Sequence, residues 1–214
     1  MRSPDITVII PCYNRSIFLN RALRSLNNQS LAADYFQVII VDDGSDESIE
    51  VDSSVYDYKI SLFRHPENLG LPSALNTALS QTSTRYFVRL DSDDYVHQDF
   101  LRVLLLKFQL DQTTVAASVD YIKVDEMEQQ LGIFSFEKDP IGCAVMFKTE
   151  VIRQIGMYNE EMLLAEEIEF QSRFEEFYSI AHINLPLYRY CQHDNNLTKD
   201  TDLYAKFKEK LDEK

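Results

Sequence analysis

The first half of the chain alternates between short apolar runs and segments in which apolar residues recur at helical spacing. Continuous short apolar runs predict buried strands, and the helical spacing predicts amphipathic helices. The predicted strands lie at 6–11, 38–41, 58–63 and 86–90, and the predicted helices lie at 16–28 and 69–80. This alternation is typical of a mostly parallel sheet that is covered by helices on both faces.

The second half of the chain follows a different order of elements. The pattern predicts a Leu-rich core helix at 101–110, a hairpin of strands at 115–124 and 131–136, and an apolar segment at 141–147. Further along, it predicts helices at 149–155 and 163–177 and two short strands, 180–183 and 185–190, broken by Pro186. We therefore expect an α/β fold with a mixed, mostly parallel sheet in one domain over 1–198, and a charged, helical tail at 199–214.

Polar residues of the first half accumulate directly after predicted strands. PCYNR at 11–15 follows the first strand, DDGS at 42–45 follows the second, and DSDD at 91–94 follows the fourth. Ligands of open α/β sheets bind at the carboxyl ends of the strands. The three segments are therefore expected to form one site.

The acidic segment 91–94 carries the strongest indication of chemistry. Side chains two apart along an extended backbone point the same way, so we expect Asp91 and Asp93 to converge. Convergent carboxylates suit Mg²⁺ or Mn²⁺, which commonly complete their coordination with the phosphates of a substrate. A nucleotide-diphosphate site is the leading hypothesis. The alternative is that Asp93 or Asp94 only caps a helix that begins near Tyr95.

Composition and charge limit the classes of partner. With 214 residues, of which 45% are hydrophobic, the chain can bury the core of one larger domain. Its formal net charge of −14 opposes binding to nucleic acids, whose affinity for proteins depends on clustered Lys and Arg. An acidic protein can still bind an anionic nucleotide when a metal ion lies between the two.

Cysteine usage and hydropathy indicate the compartment. Cys12, Cys143 and Cys191 are odd in number, widely spaced and without a C-x-x-C pair, which favours a reducing compartment. The sequence has no signal-peptide pattern and no apolar run of the ~20 residues that a bilayer crossing needs. We therefore expect a cytoplasmic protein without an integral membrane segment, and a peripheral position at a membrane stays open.

Six segments, taken in order, resemble the inverting glycosyltransferases of family 2, which have the nucleotide-sugar-binding GT-A fold. The resemblance implies a nucleotide-sugar-binding half at 1–95, with DSD as a DXD motif, and an acceptor-side half at 96–198. It implies metal-dependent transfer of a sugar from a nucleotide-diphosphate sugar to a hydroxyl of a glycan, lipid-linked or other acceptor, in polysaccharide or surface-glycan synthesis. The segments are VIIPCYNR (8–15), VIIVDDGSDE (38–47), NLGLPSALNTALSQTSTRYFVRLDSDD (68–94), IGCAVMFKTEVIRQIGMYNEEM (141–162), LLAEEIEFQSRF (163–174) and LPLYRYCQHDNNLT (185–198).

The resemblance also implies roles on the donor side. Pro11 and Tyr13 would line the nucleoside pocket, with the Tyr13 ring near the base. Asp43 would accept a hydrogen bond from the base, and Arg15 would face the nucleotide. The full set that the resemblance implies for nucleotide-sugar binding is Pro11, Tyr13, Arg15, Asp43, Asn68, Asn76, Arg89, Asp91 and Ser92.

Several of these residues keep a second interpretation. Tyr13 could be a half-buried core aromatic, and the Asp42 pair could be a turn before a helix. Asn76 could bond to its own helical backbone, and Arg89 could pair with the aspartates rather than contact the donor.

The metal ligands and the general base are likewise implied by the resemblance. Asp93 would bind Mn²⁺ or Mg²⁺ directly, Asp91 would lie nearer the ribose or reach the ion through water, and His193 would approach the ion or the diphosphate. Glu167 occupies the position of the general base, where the family usually has Asp. Glu166 remains a second candidate for that role.

Three other classes compete with a glycosyltransferase. A nucleotidyltransferase would need a Gly-rich phosphate loop after the first strand, where this chain has Pro11 and only five glycines in all. A phospho-acceptor receiver domain carries its acidic pair after the first strand, whereas Asp42 and Asp43 follow the second. A noncatalytic nucleotide-sugar-binding or scaffold protein of the same fold is favoured by Glu167 in place of Asp.

Overall fold

A computed structural model describes residues 3–162 and 166–192 of the chain. Its strands are β1 (Ile6–Cys12), β2 (Phe36–Asp42), β3 (Lys59–Arg64), β4 (Tyr86–Arg89), β5 (Tyr95–Val96), β6 (Ala116–Val124), β7 (Gln130–Phe134), β8 (Val145–Lys148) and β9 (Ile180–Cys191). Its helices are α1 (Ser16–Asn27), α2 (Leu71–Gln81), α3 (Phe100–Leu110), α4 (Thr149–Ile155) and α5 (Glu166–Glu175), with 3₁₀ turns at Ala33–Tyr35 and Ser53–Val55. His193 and the predicted tail at 199–214 lie outside the described residues.

All nine strands of the described ranges belong to one mixed sheet. Eight of them run in the order β3-β2-β1-β4-β8-β6-β9-β5, and β7 pairs with β6. β3, β2, β1 and β4 are parallel, whereas β8 is antiparallel to both of its neighbours. The predicted α/β fold with a mixed sheet is confirmed. Because β1, β2 and β4 are parallel, the polar segments that follow them lie at one edge of the sheet.

The core lies on both faces of this sheet, as the alternation along β1 requires. Ile6, Val8 and Ile10 belong to the cluster that includes the buried faces of α1 and α3. Ile9 faces the opposite cluster, which is formed with α2, α4 and α5. Full burial of one such aliphatic side chain stabilises the fold by about 1.5–3 kcal/mol. The two layers hold the carboxyl edge of the sheet rigidly from both sides.

The end of the sheet differs from the prediction at Pro186. The sequence predicts two short strands there, but β9 is one strand of 12 residues. Its pairing with β6 shifts register around Val119 and Asp120, opposite Pro186. Proline has no N–H to donate, so it is tolerated where the ladder is already irregular. The local break is therefore absorbed within a continuous strand.

No helix in the described ranges is long and apolar enough to cross a bilayer. The cytoplasmic location and a peripheral position at a membrane stay predictions. The division into a donor half and an acceptor half at residue 95 also stays a prediction.

Candidate active site

The loop after β2 is fixed by two buried aspartates. Asp42 accepts hydrogen bonds from the Ser45 N–H (2.9 Å) and from Arg64 Nη1 (2.8 Å). Gly44 directly precedes Ser45 and has φ 73°, and a Cβ at Gly44 would lie 2.2 Å from the carbonyl carbon of Glu67. Only glycine suits both this conformation and this close approach. The turn that is the alternative interpretation of the pair is thus present, but the next helical element is only the 3₁₀ turn Ser53–Val55.

Asp43 joins this loop to the start of α2. Its Oδ1 accepts the Leu69 N–H at 3.0 Å and lies 2.6 Å from His65 Nδ1, and its Oδ2 accepts the Gly70 N–H at 2.9 Å. Asn68 Oδ1 accepts the same Gly70 N–H at 3.0 Å. The carboxylate of Asp43 is therefore held in a fixed direction, and its role toward a base stays a prediction.

The segment after β1 presents a tyrosine at the same edge. Pro11 is buried within β1, whereas Tyr13 is 44% exposed. The Tyr13 ring is thus not a core aromatic. The Arg15 carbonyl accepts the N–H groups of Phe18 and Leu19 at the first turn of α1. This geometry leaves the ring of Tyr13 accessible to a planar ligand.

The acidic segment after β4 is a tight turn rather than an extended strand. The Asp94 N–H donates to the Asp91 carbonyl at 3.0 Å. The premise that Asp91 and Asp93 alternate along an extended backbone is therefore wrong, because the chain folds back at Ser92. Asp91 and Asp93 are half-buried, and Ser92 is buried. The turn brings the carboxylates of Asp91 and Asp94 to within 4.8 Å of each other, by curvature instead of alternation.

Asp94 is an internal anchor of this turn. Its Oδ2 accepts the Tyr188 hydroxyl and its Oδ1 accepts the Cys191 N–H, both at 2.7 Å. Burial raises the pKa of Asp94 well above its usual value, and the charges of Asp93 and Asp91 add to this effect. Residues 95–96 form β5 and the next helix begins at Phe100, so the helix-cap interpretation of the turn is wrong.

Arg89 links the acidic turn to α5. Its Nε donates to Asp91 Oδ1 (2.5 Å), its Nη2 to Asp91 Oδ2 (3.0 Å) and its Nη1 to Glu166 Oε1 (3.1 Å). Burial acts against the charge of Arg89, but Asp91 and Glu166 outweigh it and raise its pKa well above the usual value. Of the two interpretations of Arg89, pairing with an aspartate is confirmed.

Asn76 bonds to the loop between α4 and α5, and its predicted place beside the donor stays a prediction. Its Nδ2 donates to the Tyr158 carbonyl and to Glu160 Oε1, both at 2.9 Å, and its Oδ1 accepts the Tyr158 N–H. The alternative of a bond to its own helical backbone is wrong, because α2 packs against the loop that leads toward α5. Asn76 thereby ties α2 to the loop between α4 and α5.

The acidic pair of α5 combines a buried and a half-buried carboxyl group. Glu166 is 3% exposed, and burial raises its pKa to about 8, with the charge of Glu167 as the next cause. Glu167 is half-buried and borders a small cavity whose walls include Gly142, Tyr158 and Phe170. One member of the pair is thus largely neutral at pH 7, and the other lies beside a small cavity with mostly apolar walls.

The oxygen ligands of the turn fit a hard divalent cation. The charge of Asp93 adds to the effect of burial in raising the pKa of Asp91. Ligand atoms of Asp91, Asp94 and Cys143 lie within 4.8 Å of one another. However, burial raises the pKa of the Cys143 thiol well above its usual value, Asp94 is engaged by Tyr188 and Cys191, and Asp91 is engaged by Arg89. Binding of Mg²⁺ or Mn²⁺ by Asp93 and Asp91 therefore stays a prediction, which the oxygen chemistry of the turn supports.

Two side chains of this site were not assigned any role by the sequence. Tyr188 donates to Asp94, accepts the Asp91 N–H at 3.2 Å and is fully buried, and Cys143 lies 4.0 Å from Asp94. Both belong to segments that resemble the family, but no local pattern distinguishes them from core residues. Their contacts arise only when β8 and β9 pair with distant strands.

The raised pKa of Glu166 leads to a prediction about stability. Between its usual value of 4.5 and about 8 in the fold, the folded protein holds a proton that the unfolded chain has released. The free energy of unfolding therefore falls as pH rises across this window, by up to about 1.4 kcal/mol per pH unit for one proton. We expect Glu166→Gln to flatten this slope in urea denaturation at pH 5.5, 6.5 and 8. The exposed Glu176→Gln should keep the wild-type slope, and an unchanged slope in Glu166→Gln would contradict the assignment.

Fold and site together define an open-sheet α/β domain in which an acidic turn and an acidic helix are joined through Arg89 at one sheet edge. The model of Glycosyl transferase family 2 matches residues 7–169, and the chain belongs to this family. An uncharacterized glycosyltransferase of Haemophilus influenzae is 33% identical over 141 residues, which cover 64% of this chain and 55% of that protein. Chondroitin synthase of Pasteurella multocida is 26% identical over 96% of this chain and 22% of its own length. The chain thus spans about half or less of these relatives.

Solved structures agree on the fold. TarS 1-349 of S. aureus in complex with UDP-GlcNAc superimposes with a TM-score of 0.79 and 19% identity, over 94% of this chain and 61% of that chain. The mannosyltransferase PcManGT of Pyrobaculum calidifontis, in complex with GDP-Man and Mn²⁺, gives a TM-score of 0.73 and 17% identity over 97% of this chain and 62% of its own. At these identities the likeness establishes the GT-A fold alone.

Proposed function

We propose that this protein transfers a sugar from a nucleotide-diphosphate sugar to a hydroxyl group of a glycan or lipid-linked acceptor, with inversion at the anomeric carbon. One observation carries the proposal: the acidic turn after β4 is joined through Arg89 to the acidic pair Glu166–Glu167 at the same edge of the sheet. Family membership supports it. So do the printed descriptions of the relatives, which include a chondroitin synthase and complexes with UDP-GlcNAc and GDP-Man.

The donor would bind across the carboxyl ends of β1, β2 and β4. Tyr13 would stack on the base, Asp43 would accept from it, and Pro11 and Arg15 would border the nucleoside. Asp43 is held by two N–H groups, so its orientation needs no change on binding. A site that is organised beforehand loses less entropy when the ligand binds. Asn68 and Ser92 would complete the donor side.

The diphosphate would lie next to the turn, where Asp93 and Asp91 would hold Mn²⁺ or Mg²⁺. When bound, the cation supplies positive charge that stabilises the diphosphate as a leaving group. The charge of the protein supports this role: an anionic donor that binds beside aspartates of a chain with a net charge of −14 is repelled unless a cation lies between them. His193 stays a predicted further ligand, because it lies outside the described residues.

Glu167 would act as the general base. It takes the proton of the acceptor hydroxyl while that oxygen forms a bond to the anomeric carbon, and the bond from this carbon to the diphosphate oxygen breaks with the electron pair leaving on the diphosphate. Attack from the face opposite the leaving group inverts the configuration. Glu167 is half-buried and borders a small cavity, whereas Glu166 is buried against Arg89, which favours Glu167 over Glu166 for contact with an acceptor.

A thermal-shift panel tests this function directly. UDP-, GDP-, dTDP- and CDP-sugars are added with Mn²⁺, with Mg²⁺ or with EDTA. At 100 times its Kd, the cognate donor should stabilise the fold by about 2.7 kcal/mol and raise Tm by about 5–10 °C, only with the metal present. Release of the nucleotide diphosphate is then measured with candidate hydroxyl acceptors. No shift with any donor would contradict the proposal, and binding without turnover on any acceptor would favour the noncatalytic donor-binding protein.

A further inference from the structure

Three side chains form a chain of hydrogen bonds that runs from the acidic turn to the residue next to the predicted base. Asp91 accepts two hydrogen bonds from Arg89, at 2.5 and 3.0 Å. Arg89 donates its third bond, at 3.1 Å, to Glu166, which directly precedes Glu167 in α5. The two ends of this chain are 75 residues apart in sequence by their numbers, 91 and 166. One guanidinium thus connects the donor side to the acceptor side.

Arg89 is not placed to hold a ligand itself. Its side chain is only 10% exposed, and each of its three nitrogens already donates to a carboxyl group. The planar fork of arginine fixes two acceptors in defined directions, which the single ammonium group of lysine cannot do. The geometry of Arg89 therefore serves its two carboxyl partners.

Gly142 holds this arrangement from the third side. A Cβ at Gly142 would lie 2.9 Å from Arg89 Nη1 and 3.0 Å from the Cβ of Glu167. Both distances are shorter than ordinary van der Waals contact, so even one added methyl group must displace the guanidinium or the base. The backbone at Gly142 thus confines both residues at once.

We infer that Arg89 and Glu166 are positioning residues, which set the place of the Glu167 carboxylate relative to Asp91 and the donor bound beside it. The inference rests on the proposed function. Its physical reason is that the base must lie within hydrogen-bond reach of the acceptor hydroxyl while that oxygen lies in line with the donor. A misplacement of about 1 Å at such a site can cost about 100-fold in rate.

Replacement of Arg89 by Lys separates positioning from charge. Lys keeps one positive charge beside Asp91 but loses the fork, so we expect kcat to fall by about 10- to 100-fold with the donor KM changed less than about 3-fold. The matched control is Arg85→Lys, an exposed arginine four positions earlier whose guanidinium lies over the Tyr86 ring. Its kinetics should equal those of the wild type. A direct donor contact of Arg89 would instead raise the donor KM with kcat preserved.

Glu166 supplies a rescue test and a coupling test. Glu166→Gln keeps the shape of the side chain and can still accept from Arg89, so kcat at pH 7 should stay within about 3-fold of the wild type. Glu166→Leu removes the bond to Arg89 and should lower kcat about as much as Arg89→Lys. Because both residues act through one chain of contacts, the double variant Arg89→Lys/Glu166→Leu should lose no more than about 2-fold beyond the larger single effect.

Thermal unfolding of every variant is measured alongside the kinetics. Gly142→Ala is included because it disturbs the arrangement without replacing Arg89, Glu166 or Glu167. Its kcat should fall by about 10-fold or more with the donor KM unchanged. The inference would be overturned if the losses of kcat in the double variant were additive, or if each loss of kcat only followed a loss of Tm. Turnover by the wild type would still support the transferase function in that case. Absence of turnover in the wild type would overturn the proposed function, and the inference with it.

Discussion

Asp93→Ala is expected to abolish sugar transfer while the protein stays folded. The Asp93 carboxylate stands in a turn that also holds Asp91, and it is the residue assigned to bind the cation that stabilises the departing diphosphate. Loss of a preorganised electrostatic contact of this kind costs at least about 100- to 1000-fold in kcat. Because the side chain is half-buried rather than fully buried, truncation should change stability by only about 1 kcal/mol.

The measurement is initial-rate release of the nucleotide diphosphate over a range of Mn²⁺ concentrations. The control is Asp34→Ala, which removes an exposed carboxylate in the 3₁₀ turn Ala33–Tyr35 and should leave the rate unchanged. The Mn²⁺-dependent thermal shift with the cognate donor should disappear in Asp93→Ala and persist in the control. Turnover within about 3-fold of the wild type in Asp93→Ala would refute the assigned role.

Glu167→Gln is expected to lower kcat by about 100- to 10,000-fold, which is the usual contribution of a general base. Glutamine has nearly the same shape as glutamate but cannot accept a proton, so the donor KM should change little. The contrasting variant is Glu166→Gln, in which the neutral side chain resembles the protonated acid that burial favours at that position. The pair of variants thus decides which of the two glutamates takes the proton.

Two further substitutions sharpen this comparison. Glu167→Asp restores the residue that is usual in the family but shortens the reach by one methylene, so kcat should fall less than in Glu167→Gln. Glu176→Gln, an exposed glutamate just beyond α5, is the matched control and should behave as the wild type. If Glu166→Gln were inactive and Glu167→Gln active, the roles of the two residues would have to be exchanged.

The parallel half of the fold could be predicted from the sequence because its signals are local. Strand β1 is buried at every position, so it forms an unbroken apolar run, and α1 shows its buried residues at helical spacing. Helix α4 has the predicted bounds, and Gly156 at its end adopts the left-handed conformation that glycine favours. Each of these features depends only on residues that are close together in the sequence, so the sequence pattern is enough to predict it.

The remaining features depend on contacts between distant segments. Nothing local reveals that Asp94 accepts a hydroxyl from Tyr188, or that the amide of Asn76 bonds to the backbone at Tyr158. The acidic turn was predicted as extended because it follows a strand directly, yet one hydrogen bond between its first and last residues closes it. Pairing between distant segments determines the contacts at these positions, and the local sequence does not reveal which segments will pair.

The anchoring of Asp94 has a consequence for how the protein is made. The aspartate and the Cys191 N–H that it accepts are separated by 97 residues. At about 5–20 residues per second on the ribosome, strands β1 to β4 emerge about 5–20 s before β9 does. A nascent chain can therefore assemble its first parallel strands early, but the acidic turn gains its final shape only when the last described strand arrives. Catalytic competence would then be acquired only after β9 has left the ribosome, rather than gradually as the earlier strands emerge.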